Sequence, residues 1–196
     1  MNTINNQIKV EDTTSNPAPL GLLGFGMTTV LLNLHNVGLF ELDSVIIAMG
    51  IFVGGMAQVF AGLLEWKKGN TFGNVAFTAY GLFWLSLVGI WMLPGIKGIS
   101  APSDISMGFY LLLWGIFTLG MFFGTFKTNK ILQSVFFSLA LLFFLLSLAD
   151  FLSNSVIKTI AGFVGILCGT LAIYLALAEV LNEANKRTVL PIFPGE

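Results

Sequence analysis

This chain of 196 residues is short of the groups that most protein chemistry needs. It has one cysteine, one histidine, and nine basic against ten acidic side chains. Charged residues make up 10% of it, where a soluble globular domain carries about 25%. A lone Cys168 excludes an intrachain disulfide framework and any multi-cysteine metal centre, and a lone His35 excludes a histidine-rich one. The net charge of −1 gives no field for drawing in nucleic acid. There is no P-loop, no HExxH helix and no carboxylate pair at helical spacing inside an apolar run. His35 has no Ser or Cys nucleophile in its own segment. The chain is therefore expected to be no enzyme and to use neither metal nor cofactor. Residues 1–19 hold no apolar stretch, so no cleavable signal peptide is expected.

What the chain has in quantity is apolar residues, 56% of the total, with a mean hydropathy of +0.88. They fall into six runs, roughly 20–36, 44–64, 73–93, 105–126, 131–149 and 156–181. Each is near the ~20 residues that cross about 30 Å of hydrocarbon. Length favours helices, and open sheets are forbidden in lipid. The expected organisation is an unstructured cytoplasmic tail (1–15), one all-α domain of six transmembrane helices (16–182) and a cytoplasmic C-terminal tail (183–196). With the N-terminus inside, the inner segments hold Lys9, Lys67, Lys68, Lys127, Lys130, Lys186 and Arg187. The outer ones hold only Lys97 and Lys158. That bias puts both termini in the cytoplasm. The second, fourth and sixth runs each carry a GxxxG step, at Gly50–Gly54, Gly120–Gly124 and Gly165–Gly169. Three helical hairpins around an axis would give this repeat, and so would simple helix packing.

Polar groups inside apolar helices usually face the bundle interior or a wet path. Phe25, Thr28, Thr29, Leu32, His35 and Asn36 recur at steps of three and four, with Asn33 in the same run, and so share a face of the first helix. That face reads as pore-lining, with Phe25 as a bulky gate; the alternative is hydrogen bonding between packed helices. Gln58 stands near the middle of the second helix and must find partners for its amide. Glu65, beside Trp66, Lys67 and Lys68, reads as an anchor at headgroup level. Glu179, flanked by YLALA and VLN, is a candidate proton carrier. Phe77, Tyr80 and Trp84 form a stripe that reads as packing, although Tyr80 has a hydroxyl to offer a passing carboxylate.

Ahead of the first helix stands Asn16-Pro17-Ala18-Pro19-Leu20-Gly21-Leu22, continued by GFGMTTVLLNLHN. Together with GGMAQVFAGLLEWKKGNTFG, AFTAYGLFW, FTLGMFFGT, VFFSLALLF and AIYLALAEVLNE, in that order, it resembles the acetate uptake transporter family, the succinate–acetate permeases. The resemblance runs from about Asn16 to about Pro191. It implies a urea-channel-like fold, six helices around a pore in each protomer, and assembly of protomers as a hexamer. It implies transport of acetate and related short carboxylates, succinate among them, with protons as the coupled partner. It implies a narrow hydrophobic constriction made by Phe25, Tyr80 and Leu139, and a small helix-six residue tied to substrate size, Ala172.

The expected protein is thus a multi-pass transporter of the cytoplasmic (inner) membrane. Its rivals are a passive acetate or acetic acid channel, a urea- or ammonia-type channel for uncharged solutes, and a membrane sensor. The short tails argue against the last. A carboxylate whose pKa lies near 4 is almost wholly ionised at neutral pH. A path for it needs hydrogen bonds, yet sites weak enough to leave. No Lys or Arg lies centrally in any run, whereas Thr, Asn, Gln, Tyr and Ser do.

Overall fold

The computed structural model describes residues 14–195. Of the expected N-terminal tail, residues 1–13 lie outside the described residues. Among the described residues six helices are long and apolar enough to cross a membrane: α1 (Ala18–Asn36), α2 (Ser44–Lys67), α3 (Thr71–Met92), α4 (Asp104–Phe123), α5 (Lys130–Phe151) and α6 (Ser155–Asn185). The fold is all-α, as the six runs imply.

Their starts are set by side chains that accept the otherwise orphaned first N–H groups. Asp43 accepts from Val45 and Ile46 at the start of α2, and Asn70 from Gly73 at the start of α3. Ser103, Asn129 and Asn154 do the same for α4, α5 and α6. At α1 the Asn16 side-chain oxygen accepts from the Ala18 N–H at 3.0 Å, and Pro19 sits where a missing N–H costs nothing. The far end of α6 stops at Lys186, in left-handed backbone (φ 52°).

The helices close into a ring in the order α1–α2–α3–α4–α5–α6, with α6 returning to α1. The seam between α1 and α6 closes by backbone approach. A Cβ on Gly26 would come within 2.7 Å of the Gly169 carbonyl oxygen, and one on Gly169 equally close to that of Gly26, so only glycines permit this α1–α6 crossing. The α3–α4 seam closes by aromatic side chains instead. Phe83 packs edge-on against Trp114 at 5.1 Å and stacks on Tyr110 at 5.9 Å. Within α2, Met49–Ala57 widens into π-helix around Gly50, Gly54 and Gly55, a form concentrated at functional sites.

The C-terminal segment is fastened rather than loose. Asn182 accepts from the N–H groups of Val189 and Leu190 at 2.6 and 3.0 Å. The Tyr174 hydroxyl donates to the Pro191 carbonyl at 2.8 Å, and the Lys130 N–H to that of Phe193. Residues past Asn185 are thereby strapped across α6 to the start of α5.

Candidate transport pathway

Two cavities open inside the ring, one at each end. The first, of about 100 Å³, lies among the starts of α1, α3 and α5 and the ends of α2 and α6, the side named inner above. Its wall is mostly apolar, with Ala18, Leu22, Phe77 and Leu175 among its members. Its polar side chains include Gln58, Glu65, Asn70, Tyr80 and Glu179, and among the described residues no Lys or Arg lines it. The second, of about 340 Å³, lies at the opposite ends and includes His35, Asn36, Trp91, Asp104, Asp150 and Lys158.

Phe25, Tyr80 and Leu139 stand at the blind end of the inner cavity, each under a tenth exposed. The Phe25 and Tyr80 rings are 6.0 Å apart, and Tyr80 is braced behind by Phe136 at 6.1 Å and Phe117 at 5.7 Å. The Tyr80 hydroxyl donates to Thr118 Oγ1 at 3.0 Å, and Thr118 donates to the Trp114 carbonyl at 2.7 Å. That chain of bonds anchors the ring and occupies the hydroxyl proton, so the hydroxyl does not offer it to a passing carboxylate. Ala172 is fully buried on α6, one turn from Leu175, and lines neither cavity.

The polar face expected on α1 divides. His35 and Asn36 line the outer cavity, with His35 Nδ1 2.8 Å from the Phe40 carbonyl oxygen. Thr28 lies against Gly54 and reaches the Met49 carbonyl at 3.4 Å, so it serves the α1–α2 contact. Asn33 lies over Gly165 of α6, donates to the Thr29 carbonyl at 2.8 Å and accepts from Asn36 at 3.1 Å. Thr29 is 2% exposed and its hydroxyl has no hydrogen-bond partner. Gln58 lines the inner cavity while donating to the Gly54 carbonyl at 2.7 Å.

The segment Asn16–Leu22 shapes the inner mouth. Asn16 caps α1 with its oxygen and donates from Nδ2 to Glu179 at 3.0 Å, tying α1 to α6. Pro17 offers its carbonyl to Leu20 and Gly21, Gly21 receives the face of Phe77, and Ala18 and Leu22 line the cavity. Leu20 points outward.

Glu65 departs from expectation. It is 3% exposed and on the cavity wall, not at headgroup level. Its partner is Asn70, which caps α3 with its oxygen and donates to Glu65 at 2.7 Å. The two acids are held alike, each by the amide of an asparagine that also caps a neighbouring helix. One signal in the sequence could have shown it: an Asn before an apolar run, with an acid at the end of the preceding one. The flanking Trp66, Lys67 and Lys68 masked it.

Six helices fit to span a membrane, ringed around a cavity at each end, define the architecture of a membrane transport protein. The chain belongs to the GPR1/FUN34/yaaH family, whose family model matches residues 2–194. It is 62% identical over 178 residues to the succinate-acetate/proton symporter SatP of Escherichia coli K12, covering 91% of this chain and 95% of that one. It is 50% identical over 192 residues to an uncharacterised protein of Methanothermobacter thermautotrophicus, covering 94% of each. Among solved structures it resembles the bacterial acetate channel SatP with a TM-score of 0.91 and 61% identity, over 92% of this chain and 99% of that one.

Proposed function

We propose that this protein carries acetate and related short carboxylates, succinate included, across the cytoplasmic (inner) membrane, with protons as co-substrate and both termini in the cytoplasm. The observation that carries the proton coupling is the inner cavity. Among the described residues it presents two carboxylates, Glu65 and Glu179, and no cation. A carboxylate at about 4 Å from either would be repelled by about 4 kcal/mol at an effective dielectric of 20. A proton on a wall carboxyl or on the substrate removes that repulsion, so anion and proton pass this mouth together. The outer cavity supports entry from the other side, since His35 and Lys158 share it with Asp104 and Asp150.

Phe25, Tyr80 and Leu139 form the constriction of this reading, and Ala172 backs the path from α6. The domain spans 16–182 with cytoplasmic tails, and the protomers form a homo-oligomer. α4 supports the last point, because only 22% of its apolar window is buried within the chain. The test is influx of labelled acetate into proteoliposomes, competed by acetate, succinate and urea. Competition by the two carboxylates alone is the expected result; competition by urea would support an uncharged-solute channel instead.

A further inference from the structure

Among the described residues three buried side-chain polar atoms have no hydrogen-bond partner: Thr29 Oγ1, Thr78 Oγ1 and Trp84 Nε1. Thr78 is pressed against Gly62 where α2 and α3 touch, so its orphaned hydroxyl belongs to a helix contact. The other two share a different place. On α1, Phe25 lines the inner cavity and Leu32 the outer one. Thr29 stands four residues after the first and three before the second, hence on the same face between them. On α3, Tyr80 lines the inner cavity and Leu87 the outer one, and Trp84 stands between them at the same spacing. Both orphaned groups therefore lie one turn beyond the constriction, between the two cavities.

Local packing explains why neither is satisfied. Helical Thr side chains commonly bond the carbonyl four residues back, and here Thr118, Thr159 and Thr170 do. Thr29 does not. The Trp84 indole lies over α2, with Cγ against Gly54 and Cε3 towards Gly50. Its N–H is on the opposite edge of the ring, away from Gly50. Leaving two donors unpaired at 2% exposure costs free energy that natural interiors avoid.

We propose that Thr29 and Trp84 form a hydrogen-bonding station for a carboxylate, one turn to the outer side of Phe25, Tyr80 and Leu139. Two donors suit the two oxygens of one carboxylate, and an indole N–H can only donate, so the ligand must accept. Both donors are neutral, which holds the anion without trapping it. This rests on the transport reading above and adds to it a binding residue, Trp84, at which the substrate waits before or after the gate.

The experiment has two arms. Labelled acetate uptake is measured in proteoliposomes of the full chain and of Thr29→Val, Thr29→Ser, Trp84→Phe and Thr78→Val. Thr29→Val and Trp84→Phe each raise the half-saturating acetate concentration about tenfold, the scale of a hydrogen bond to a charged group. Thr29→Ser returns it to near the starting value, and Thr78→Val does not change it. In nanodiscs, the indole ¹⁵N–¹H resonance of Trp84, assigned by its loss in Trp84→Phe, moves on addition of acetate and not of chloride at equal ionic strength. Unchanged half-saturation in Thr29→Val and Trp84→Phe, in a protein that does move acetate, overturns the station and leaves the transport reading standing. A Trp84 resonance indifferent to acetate overturns it too, and is readable even if the vesicles take up nothing.

Discussion

Leu139, Tyr80 and Phe25, the proposed constriction, are held in place by different means. Tyr80 is pinned by its bond to Thr118 and by aromatic neighbours on three sides. Leu139 has no such tether, so it is the wall most easily moved. Leu139→Ala is expected to admit longer monocarboxylates, read as uptake of labelled butyrate relative to acetate. A buried Leu→Ala change costs about 2–5 kcal/mol, and this one falls near the lower end because one side already faces a cavity. An unchanged butyrate-to-acetate ratio would remove Leu139 from the constriction. Glu65 and Glu179 give a second prediction. Glu65→Gln and Glu179→Gln keep the bond to Asn70 and Asn16 and remove the titrating group. Each should reduce acetate accumulation driven by a proton gradient at least several-fold, while acetate counterflow at symmetric pH persists. Equal loss in both assays would mean a structural role. At this scale the spacing on α1 put Phe25 on a face that does line the inner cavity, whereas Tyr80, whose stripe reads as packing, lines it too. The sequence was illegible where a neighbour helix decides. Thr28 and Asn33 look pore-lining on a helical wheel, yet the glycines they cover, Gly54 and Gly165, lie on α2 and α6.

At the scale of elements, glycines set which helices meet. Gly169 and Gly26 each present a backbone carbonyl to the other helix, so a larger side chain must push α1 from α6. Gly169→Val should lower the thermal midpoint of the detergent-solubilised protein by many degrees. Gly120→Ala should leave it unchanged, because nothing among the described residues lies within 4 Å of a Cβ there. Equal midpoints for the two would contradict the seam. The same comparison bears on the GxxxG repeat read from α2, α4 and α6. Its glycines make close contacts within the chain on α2 and α6, whereas on α4 only Gly124 does, against Phe72. A second likeness appears between elements that the repeat pattern did not show. Asn16 and Asn70 each cap one helix and hold an acid at the end of another, α6 in one case and α2 in the other. Asn129 caps α5 in the corresponding place without such an acid. Six helices were readable from apolar run lengths alone. The π-helical stretch of α2 was not; its Gly54 is covered by Thr28 of α1 and Trp84 of α3, neighbours that the run itself does not reveal.

Across the whole molecule, the two cavities explain how a chain with few charges can handle an ion. Charged groups gather at the mouths, while the middle holds Phe25, Tyr80, Leu139 and the neutral donors of Thr29 and Trp84. On the proposed path the substrate's charge thus meets ionisable side chains at the two cavities and neutral donors between them. The motifs foretold the family. The pairing of acids at the inner mouth needed the fold, because Glu65 and Glu179 are 114 residues apart in the chain and meet only when the ring closes. The most direct test of proton-coupled carboxylate transport is labelled acetate uptake by proteoliposomes of the full chain under an imposed inward proton gradient, with the membrane potential clamped. Acetate rising above the level that protein-free vesicles reach at the same gradient, and falling back when an ionophore collapses it, is the predicted result. Uptake that matches protein-free vesicles, or that ignores the gradient, would contradict the account.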